Sequence, residues 1–366
     1  MHQRKLLSML FALLFFGSAI TLTAADKPGR RYVVASTLTL INKAQPDATG
    51  SLSRLDVDRY PALTPTVRTY YGFSTGLAIL FRTDSRNISA RWTSTDRQPA
   101  PNLTGIASKG LDLYIEQDGQ WVFAGVGAPK RGSTTHEANL ISDMAEGEKL
   151  CLLYLPLYDK LSSLELGVDS CATIEAVASP MRHKLIVVGS SITHGISASR
   201  PGMAYPARLG RTLGCDVANL GASGQCKLEP FYARIVADSE ADLFLFDVFS
   251  NPSAEQIRER LIPFVDTIRA AHPDVPLIFF QTEVRETGNF NLTRRDFEAR
   301  KRAAAEEMMQ QLEQRGYRNV YFLDVMDLGT DHEATSDGVH PTDLGFERFL
   351  EKMLPQVQAV MQKHGL

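Results

Sequence analysis

The sequence predicts two folded units in tandem, an all-β sandwich over residues 26–178 and a three-layer α/β/α domain over residues 179–366. Three observations lead there. The first half carries short, partly alternating apolar runs separated by turn residues. The second half alternates short β-branched runs with longer stretches of helical period, the pattern of a parallel sheet covered by helices on both faces. Between them, at Ser179-Pro-Met-Arg-His183, the composition changes. At 366 residues the chain is also longer than one typical domain.

Residues 1–25 come first. Arg4 and Lys5 precede an apolar stretch from Leu6 to Leu22, and small residues close it at Thr23-Ala-Ala25. This is the pattern of a secretory signal peptide, with charge returning at once in Asp26-Lys-Pro-Gly-Arg-Arg31. The expected location is outside the cytoplasm, periplasmic or extracellular in a bacterium. No later run approaches the 18 or more apolar residues of a membrane span, so no span is expected after cleavage. The formal charge is −3 with no basic stripe, which excludes nucleic acid as the main partner. Of the four cysteines, Cys151 and Cys171 flank a hairpin and are the pair placed to meet, whereas Cys215 and Cys226 are held apart by a strand and a loop. At most one disulfide is expected.

In the sandwich the strands read as Gly76–Arg82, Asn87–Thr93, Gly110–Glu116, Gln120–Ala124, Lys149–Leu155 and Leu161–Gly167, with a hairpin turn at Asp118-Gly119. Trp92, Trp121 and Tyr114 lie on these strands. A flat ring can stack on a sugar, but core is the commoner role of aromatics on sandwich strands. The proline-rich loop Asp96-Arg-Gln-Pro-Ala-Pro-Asn102 is the better place for a binding contact.

In the α/β half the strands read as Lys184–Val188, Asp216–Leu220, Asp242–Val248, Pro276–Gln281 and Asn319–Leu323. Helices read as Pro206–Leu213, Glu255–Ala271, Arg294–Arg315 and Leu344–Lys363. Phe297, Ala304, Met308 and Leu312 form the expected buried stripe of the long helix, which Gly316 stops.

The chemistry gathers where strands end. Lys184-Leu-Ile-Val-Val188 is apolar on both faces and delivers Gly189-Ser-Ser191 to the crevice beyond its carboxyl end, where open α/β sheets bind ligands. Alone this could be a polar turn. Far downstream, Ser336-Asp-Gly-Val-His-Pro-Thr342 places Asp337 three residues before His340 on a tight loop. A serine needs a base, and the base needs an orienting group. The chain offers all three, in the order Ser, Asp, His.

Gly189-Ser-Ser-Ile-Thr-His-Gly195, Asn219-Leu-Gly-Ala-Ser-Gly224, Phe249-Ser-Asn-Pro252 and Asp337-Gly-Val-His340 together resemble the four ordered blocks of the SGNH (GDSL-type) hydrolases. The resemblance spans about half the chain and implies a flavodoxin-like parallel sheet and a serine esterase without cofactor or metal. It also implies nucleophile Ser191, base His340, orienter Asp337, and oxyanion donors from Ser191 N–H, Gly221 N–H and the Asn251 side chain. Two positions depart from the pattern. Ser190 stands where an acidic or amide residue is usual, and the third block lacks a glycine before Asn251 and an aspartate after it. Gly110-Leu-Asp-Leu-Tyr114 resembles the signature of a β-domain that precedes SGNH domains in some secreted bacterial proteins.

Other titratable groups are weighed beside these. His194 is three residues past Ser191, too close on one turn to face it across a cleft. Asp324, Asp327, Asp331, His332, Asp337 and His340 do not have the spacing of a known metal site, and solvated loop acids are the simpler account. Glu283 and Arg285 either touch substrate or pair with each other. The expected substrate is an O-acyl, first of all O-acetyl, ester on a carbohydrate. A lipid or aryl ester, a thioester, or catalytically silent sugar binding are the alternatives. Nothing in the sequence indicates an oligomeric state.

Overall fold

The computed structural model describes residues 29–46, 51–324 and 328–366. The signal-peptide pattern over residues 1–25 lies outside the described residues. The N-terminal half contains strands β1 (Arg30–Val34), β2 (Thr39–Ile41), β3 (Ala78–Thr83), β4 (Ile88–Thr93), β5 (Leu111–Gln117), β6 (Gln120–Gly127), β7 (Thr135–Ile141), β8 (Lys149–Tyr154), β9 (Ser163–Asp169) and β10 (Ile174–Ala176). They pair antiparallel into two sheets, ordered β1-β9-β4-β7 and β10-β3-β8-β5-β6, with β2 on β3. Two short helices absent from the sequence reading, α1 (Pro65–Tyr71) and α2 (Gly105–Lys109), are capped by Thr64 and Thr104.

Between the sheets Ile79, Phe81, Leu113, Cys151 and Leu153 meet Ile88, Ala90, Trp92, Leu164 and Leu166. Trp92 is thus core, with its Nε1 donating to the Lys109 carbonyl at 2.9 Å. The opposite face of the second sheet is also covered, since Ala78, Leu80, Tyr114, Leu152 and Tyr154 cluster with Ala207 of the α/β half. This is why β3 and β8 lack polar alternation. All four cysteines are free thiols: Cys151 is buried on β8 and Cys171 is exposed past β9, so the bridge considered for them is not formed.

The α/β half runs β11 (Lys184–Gly189), α3 (Ser191–His194), α4 (Tyr205–Leu213), β12 (Asp216–Gly221), α5 (Pro230–Ala237), β13 (Leu243–Asp247), α6 (Ala254–Ala271), β14 (Leu277–Phe280), α7 (Leu292–Gln314), β15 (Val320–Leu323) and α8 (Asp343–Lys363). The sheet is parallel, in the order β12-β11-β13-β14-β15. The order reverses at β11, which opens a crevice at the carboxyl ends of β11 and β13. One face packs on Ala233, Leu261, Val265 and Met308, the other on Tyr205, Phe346, Phe349 and Met353. On α7 the stripe holds at Ala304, Met308 and Leu312. Phe297 is only half-buried, and Glu298 and Lys301 take the buried positions there as an ion pair.

The Gly110-Leu-Asp-Leu-Tyr114 segment joins the two halves. Asp112 is fully buried and accepts from Arg200 Nη1 at 2.9 and 2.8 Å and from Gly202 N–H at 2.7 Å. Tyr114 is buried beneath Arg211, whose guanidinium lies 4.0 Å from the ring centroid. Both residues are therefore occupied inside the protein and neither presents a face to sugar. Burial pushes the Asp112 carboxyl up and Arg200 opposes it. Replacing Arg200 by Met strands a buried carboxylate on one backbone donor. We expect this to cost about 3–5 kcal/mol, read as a lowered urea midpoint.

Candidate active site

Ser191 opens α3 immediately after β11. Gly189 permits the turn, since a Cβ there would stand 2.2 Å from Thr193 Oγ1 and 2.8 Å from Asp247 Cβ. Ser190 caps the helix, its Oγ accepting from Ile192 N–H at 3.0 Å. The Ser191 N–H therefore lies at a helix N-terminus, with no acceptor bonded to it among the described residues. Ser191 Oγ is 2.8 Å from His340 Nε2, and His340 Nδ1 is 2.7 Å from Asp337 Oδ2. Asp337 Oδ1 accepts from the N–H groups of Val339 and His340 at 3.1 and 2.9 Å, which closes the tight turn seen in the sequence. Burial raises the Asp337 pKa, but the His340 backbone and imidazole and the Val339 N–H outweigh it and hold the carboxyl below its ordinary value. The loop thus keeps Asp337 ionised beside the imidazole.

The resemblance had implied Gly221 as an oxyanion donor, and the structure corrects this. Its N–H donates to Asn219 Oδ1 at 2.8 Å, and its Cα is pressed against the His194 backbone. Gly224, on the same loop, has φ of +67°, is exposed, and has no acceptor on its N–H among the described residues. Asn251 is held beside that loop, with one of its two amide hydrogens donated to the Gln225 carbonyl. The second amide hydrogen is left for another acceptor.

Of the two alternatives for Glu283 and Arg285, the structure shows the pairing and not the substrate contact offered for them. Glu283 is fully buried and bonds Ser250 Oγ at 3.1 Å, Thr282 Oγ1 at 2.9 Å and Arg285 Nε at 3.0 Å. Arg285 also donates to the Ser250 carbonyl at 2.6 Å. The pair holds Ser250, the residue before Asn251, and its hydrogen bonds go to neighbouring protein groups.

His194 is fully buried and stacked on Tyr158, with ring centroids 3.8 Å apart. Its Nε2 faces the Leu157 carbonyl at 3.0 Å and its Nδ1 faces Ser223 Oγ at 3.3 Å. Burial, helped by the charge of Arg54, keeps its pKa well below the ordinary value. A neutral ring walled in this way is a brace, not a base. Asp324, Asp331 and His332 are solvent-exposed as expected and also paired at the surface, Asp324 with Arg302 at 3.2 Å, Asp331 with Arg348 at 2.6 Å and His332 with Glu286 at 2.8 Å. Asp327 lies outside the described residues. Among the described residues no group of three or more His, Cys, Asp or Glu is placed to hold a metal ion, and no helix is long and apolar enough to cross a membrane.

Three contributors escaped the sequence reading. Arg54 is fully buried and donates to the carbonyls of Asn219, Gly221 and Tyr70 at 2.9, 2.8 and 2.6 Å, bracing the end of β12. Asp247, at the end of β13, accepts from Ser190 Oγ at 2.6 Å, Thr193 Oγ1 at 2.9 Å and Ser250 Oγ at 3.0 Å. Asn102 reaches in from the sandwich and donates from Nδ2 to Asp337 Oδ2 at 2.9 Å.

Comparison with known proteins matches two stretches of the chain. Residues 182–358 match the model of the GDSL-like lipase/acylhydrolase family, and residues 31–174 match that of the N-terminus of SGNH-hydrolase-type esterases. A crystal structure of a protein described as a GDSL-like lipase from Bacteroides ovatus is 47% identical, with a TM-score of 0.88 over 91% of this chain and 98% of that one. The salicylyl-acyltransferase of a tetracycline biosynthetic pathway is similar at 23% identity, TM-score 0.73, over 90% and 97% of the two chains. A family two carbohydrate esterase from Cellvibrio japonicus is similar at 14% identity, TM-score 0.63, over 91% and 98%. No curated protein matches the sequence.

Proposed function

We propose a function from one premise: this chain belongs to the GDSL-like lipase/acylhydrolase family, the SGNH-type esterases. It is an exported serine esterase that removes O-acetyl or similar small O-acyl groups from a carbohydrate. The observation that carries the chemistry is the hydrogen-bonded chain Asp337–His340–Ser191 at the mouth of the crevice.

His340 Nε2 takes the Ser191 proton as Oγ attacks the ester carbonyl, and Asp337 holds the imidazole in the tautomer that leaves Nε2 free. The tetrahedral oxyanion is received by the N–H groups of Ser191 and Gly224 and the remaining amide hydrogen of Asn251. His340 returns its proton to the leaving sugar hydroxyl, which departs and leaves an acyl-Ser191 ester. Water, deprotonated by the same imidazole, attacks the acyl carbon, and His340 returns the proton to Ser191 Oγ as the carboxylic acid leaves.

Three things favour a carbohydrate. The sequence carries an export pattern, and a sandwich that packs on the catalytic fold precedes it. The Cellvibrio protein of the same fold acts on carbohydrate. In addition, residues of the 95–104 loop, with Lys130 and Arg131, line a separate cavity of about 560 Å³ in the sandwich, which none of the proposed catalytic residues lines but whose Asp96, Gln98, Lys130 and Arg131 offer polar groups to a glycan chain.

One observation favours an apolar ester instead. Val284, Phe290 and Leu292 are exposed at 64%, 97% and 58% on the segment whose Thr287 N–H bonds the Gly338 carbonyl beside His340. Acetate release from acetylated xylan and from an aryl acetate separates the readings. We expect release from both. Cleavage of the aryl ester alone moves the substrate to the apolar class, and cleavage of neither by the folded protein overturns the esterase reading.

A further inference from the structure

The sandwich does more than dock. Its loop between β4 and α2 carries Asn102 to the catalytic turn, where Nδ2 lies 2.9 Å from Asp337 Oδ2 and 3.5 Å from His340 Nδ1. We propose that Asn102 is a positioning residue of the active site, supplied by the β-domain, whose amide fixes the Asp337 carboxylate on the imidazole. The inference rests on the reading of Asp337 and His340 as the partners of Ser191.

The hydrogen-bond inventory of Asp337 supports it. Oδ1 accepts from the backbone N–H groups of Val339 and His340, and Oδ2 from His340 Nδ1. Asn102 supplies the fourth donor, and the one that does not come from the turn itself. The Asp337 carboxylate, on the four-residue turn Asp337–His340, has no side chain besides His340 and Asn102 bonded to it among the described residues. Without Asn102 the carboxylate is held only by the N–H groups of its own turn and by the imidazole, and Oδ2 loses the one donor that fixes it from outside the turn. An amide suits this place because it donates to Asp337 without carrying a charge that would compete with the imidazole.

The loop is built to hold Asn102 still. At its start Thr95 N–H donates to Asp159 Oδ1 at 2.9 Å, and the Thr95 carbonyl accepts from Lys109 Nζ at 2.6 Å. Lys109 and Asp159 are themselves a buried ion pair 2.5 Å apart. At its end Thr104 Oγ1 donates to the Ser199 carbonyl of the catalytic half at 2.6 Å. Beside Asn102, Leu103 is buried in the same cluster as Ile192, Ile196 and Tyr205 of the catalytic half. Anchors on both sides of a short loop are what a site residue needs for a fixed geometry. On this view the sandwich is part of the catalytic machinery, not a separable sugar-binding module.

The test compares Asn102→Ala, Asn102→Asp and Asp337→Asn in the full chain, with kcat and KM on an aryl acetate at pH 8 and thermal melting of each. Asp337→Asn is expected to lose on the order of 10⁴ in kcat. Asn102→Ala removes one hydrogen bond to a charged group, and kcat should fall about tenfold or more with KM nearly unchanged. Asn102→Asp keeps the shape but sets an acceptor against Asp337, so its kcat should fall below that of the alanine variant. A role in shape or docking alone predicts the reverse order, with the aspartate variant near wild type, and that result overturns the proposal. So does a KM effect with unchanged kcat. If Asp337→Asn stays active, the triad reading fails first and takes this inference with it. Should either Asn102 variant melt early, the order of the two is read below both transitions.

Discussion

Ser191→Ala should abolish ester hydrolysis, lowering turnover on an aryl acetate by on the order of 10⁴–10⁶ while leaving the melting transition in place. The size of the effect follows from the geometry. Ser191 Oγ is 2.8 Å from the imidazole that would take its proton, and no second hydroxyl is bonded to that imidazole among the described residues. The neighbouring Ser190 Oγ is turned away and bonded to the buried Asp247 at 2.6 Å, so it cannot replace the nucleophile. The substitution is also structurally mild. Ser191 is the first residue of a short helix capped by Ser190, and alanine is well tolerated at that position. An organophosphate or sulfonyl fluoride should label the wild type at Ser191 and leave the alanine variant unmodified. Residual activity above about one part in a hundred would place the nucleophile elsewhere.

What the sequence disclosed and what it hid divide along physical lines. The strands of the parallel sheet were legible because burial on both faces leaves continuous apolar runs such as Leu185–Val188 and Leu243–Phe246. Ser191, Asp337 and His340 stood out because the residues around them, Gly189, Gly338 and Pro341, mark sharp turns. β1 and β7 were passed over, since Arg30–Val34 follows a charged stretch and Thr135–Ile141 alternates only weakly. α5 was missed because eight residues starting at a proline carry little period of their own. Gly221 and Gly224 are equivalent in a string of letters. Only the fold reveals that one spends its N–H on Asn219 and the other turns with positive φ into the open. Asn102 and Arg54 act across more than 100 residues of sequence, on Asp337 and on the end of β12, and no local pattern encodes a contact of that range.

The departure at Ser190 leads to the second large effect. In place of an acid beside the nucleophile, the chain supplies Asp247 from the adjacent strand, where it is paired in register with Gly189. Asp247 is buried, and desolvation, against its bond to Ser190 and with the nearby charge of Glu283, pushes its pKa up to about 6. Ser190→Asp would restore the residue common in the family, yet here it sets two carboxylates at hydrogen-bond distance in a site already holding Glu283. We expect a loss of about 3–5 kcal/mol in urea denaturation at pH 8. Moving the carboxylate instead of adding one, with Ser190→Asp and Asp247→Ser together, should recover most of that loss, because a single acid is then left among the same hydroxyls. The pH dependence gives an independent check with a definite sign. A carboxyl that binds its proton more tightly folded than unfolded adds stability as pH falls, so wild type should gain relative to Asp247→Asn between about pH 6 and 4. The full gain is about 3 kcal/mol for the shift from 3.8 to about 6. A double variant no more stable than Ser190→Asp alone would mean that the hydroxyls of Thr193 and Ser250 are tuned to a carboxylate arriving from β13, and that the two positions are not interchangeable.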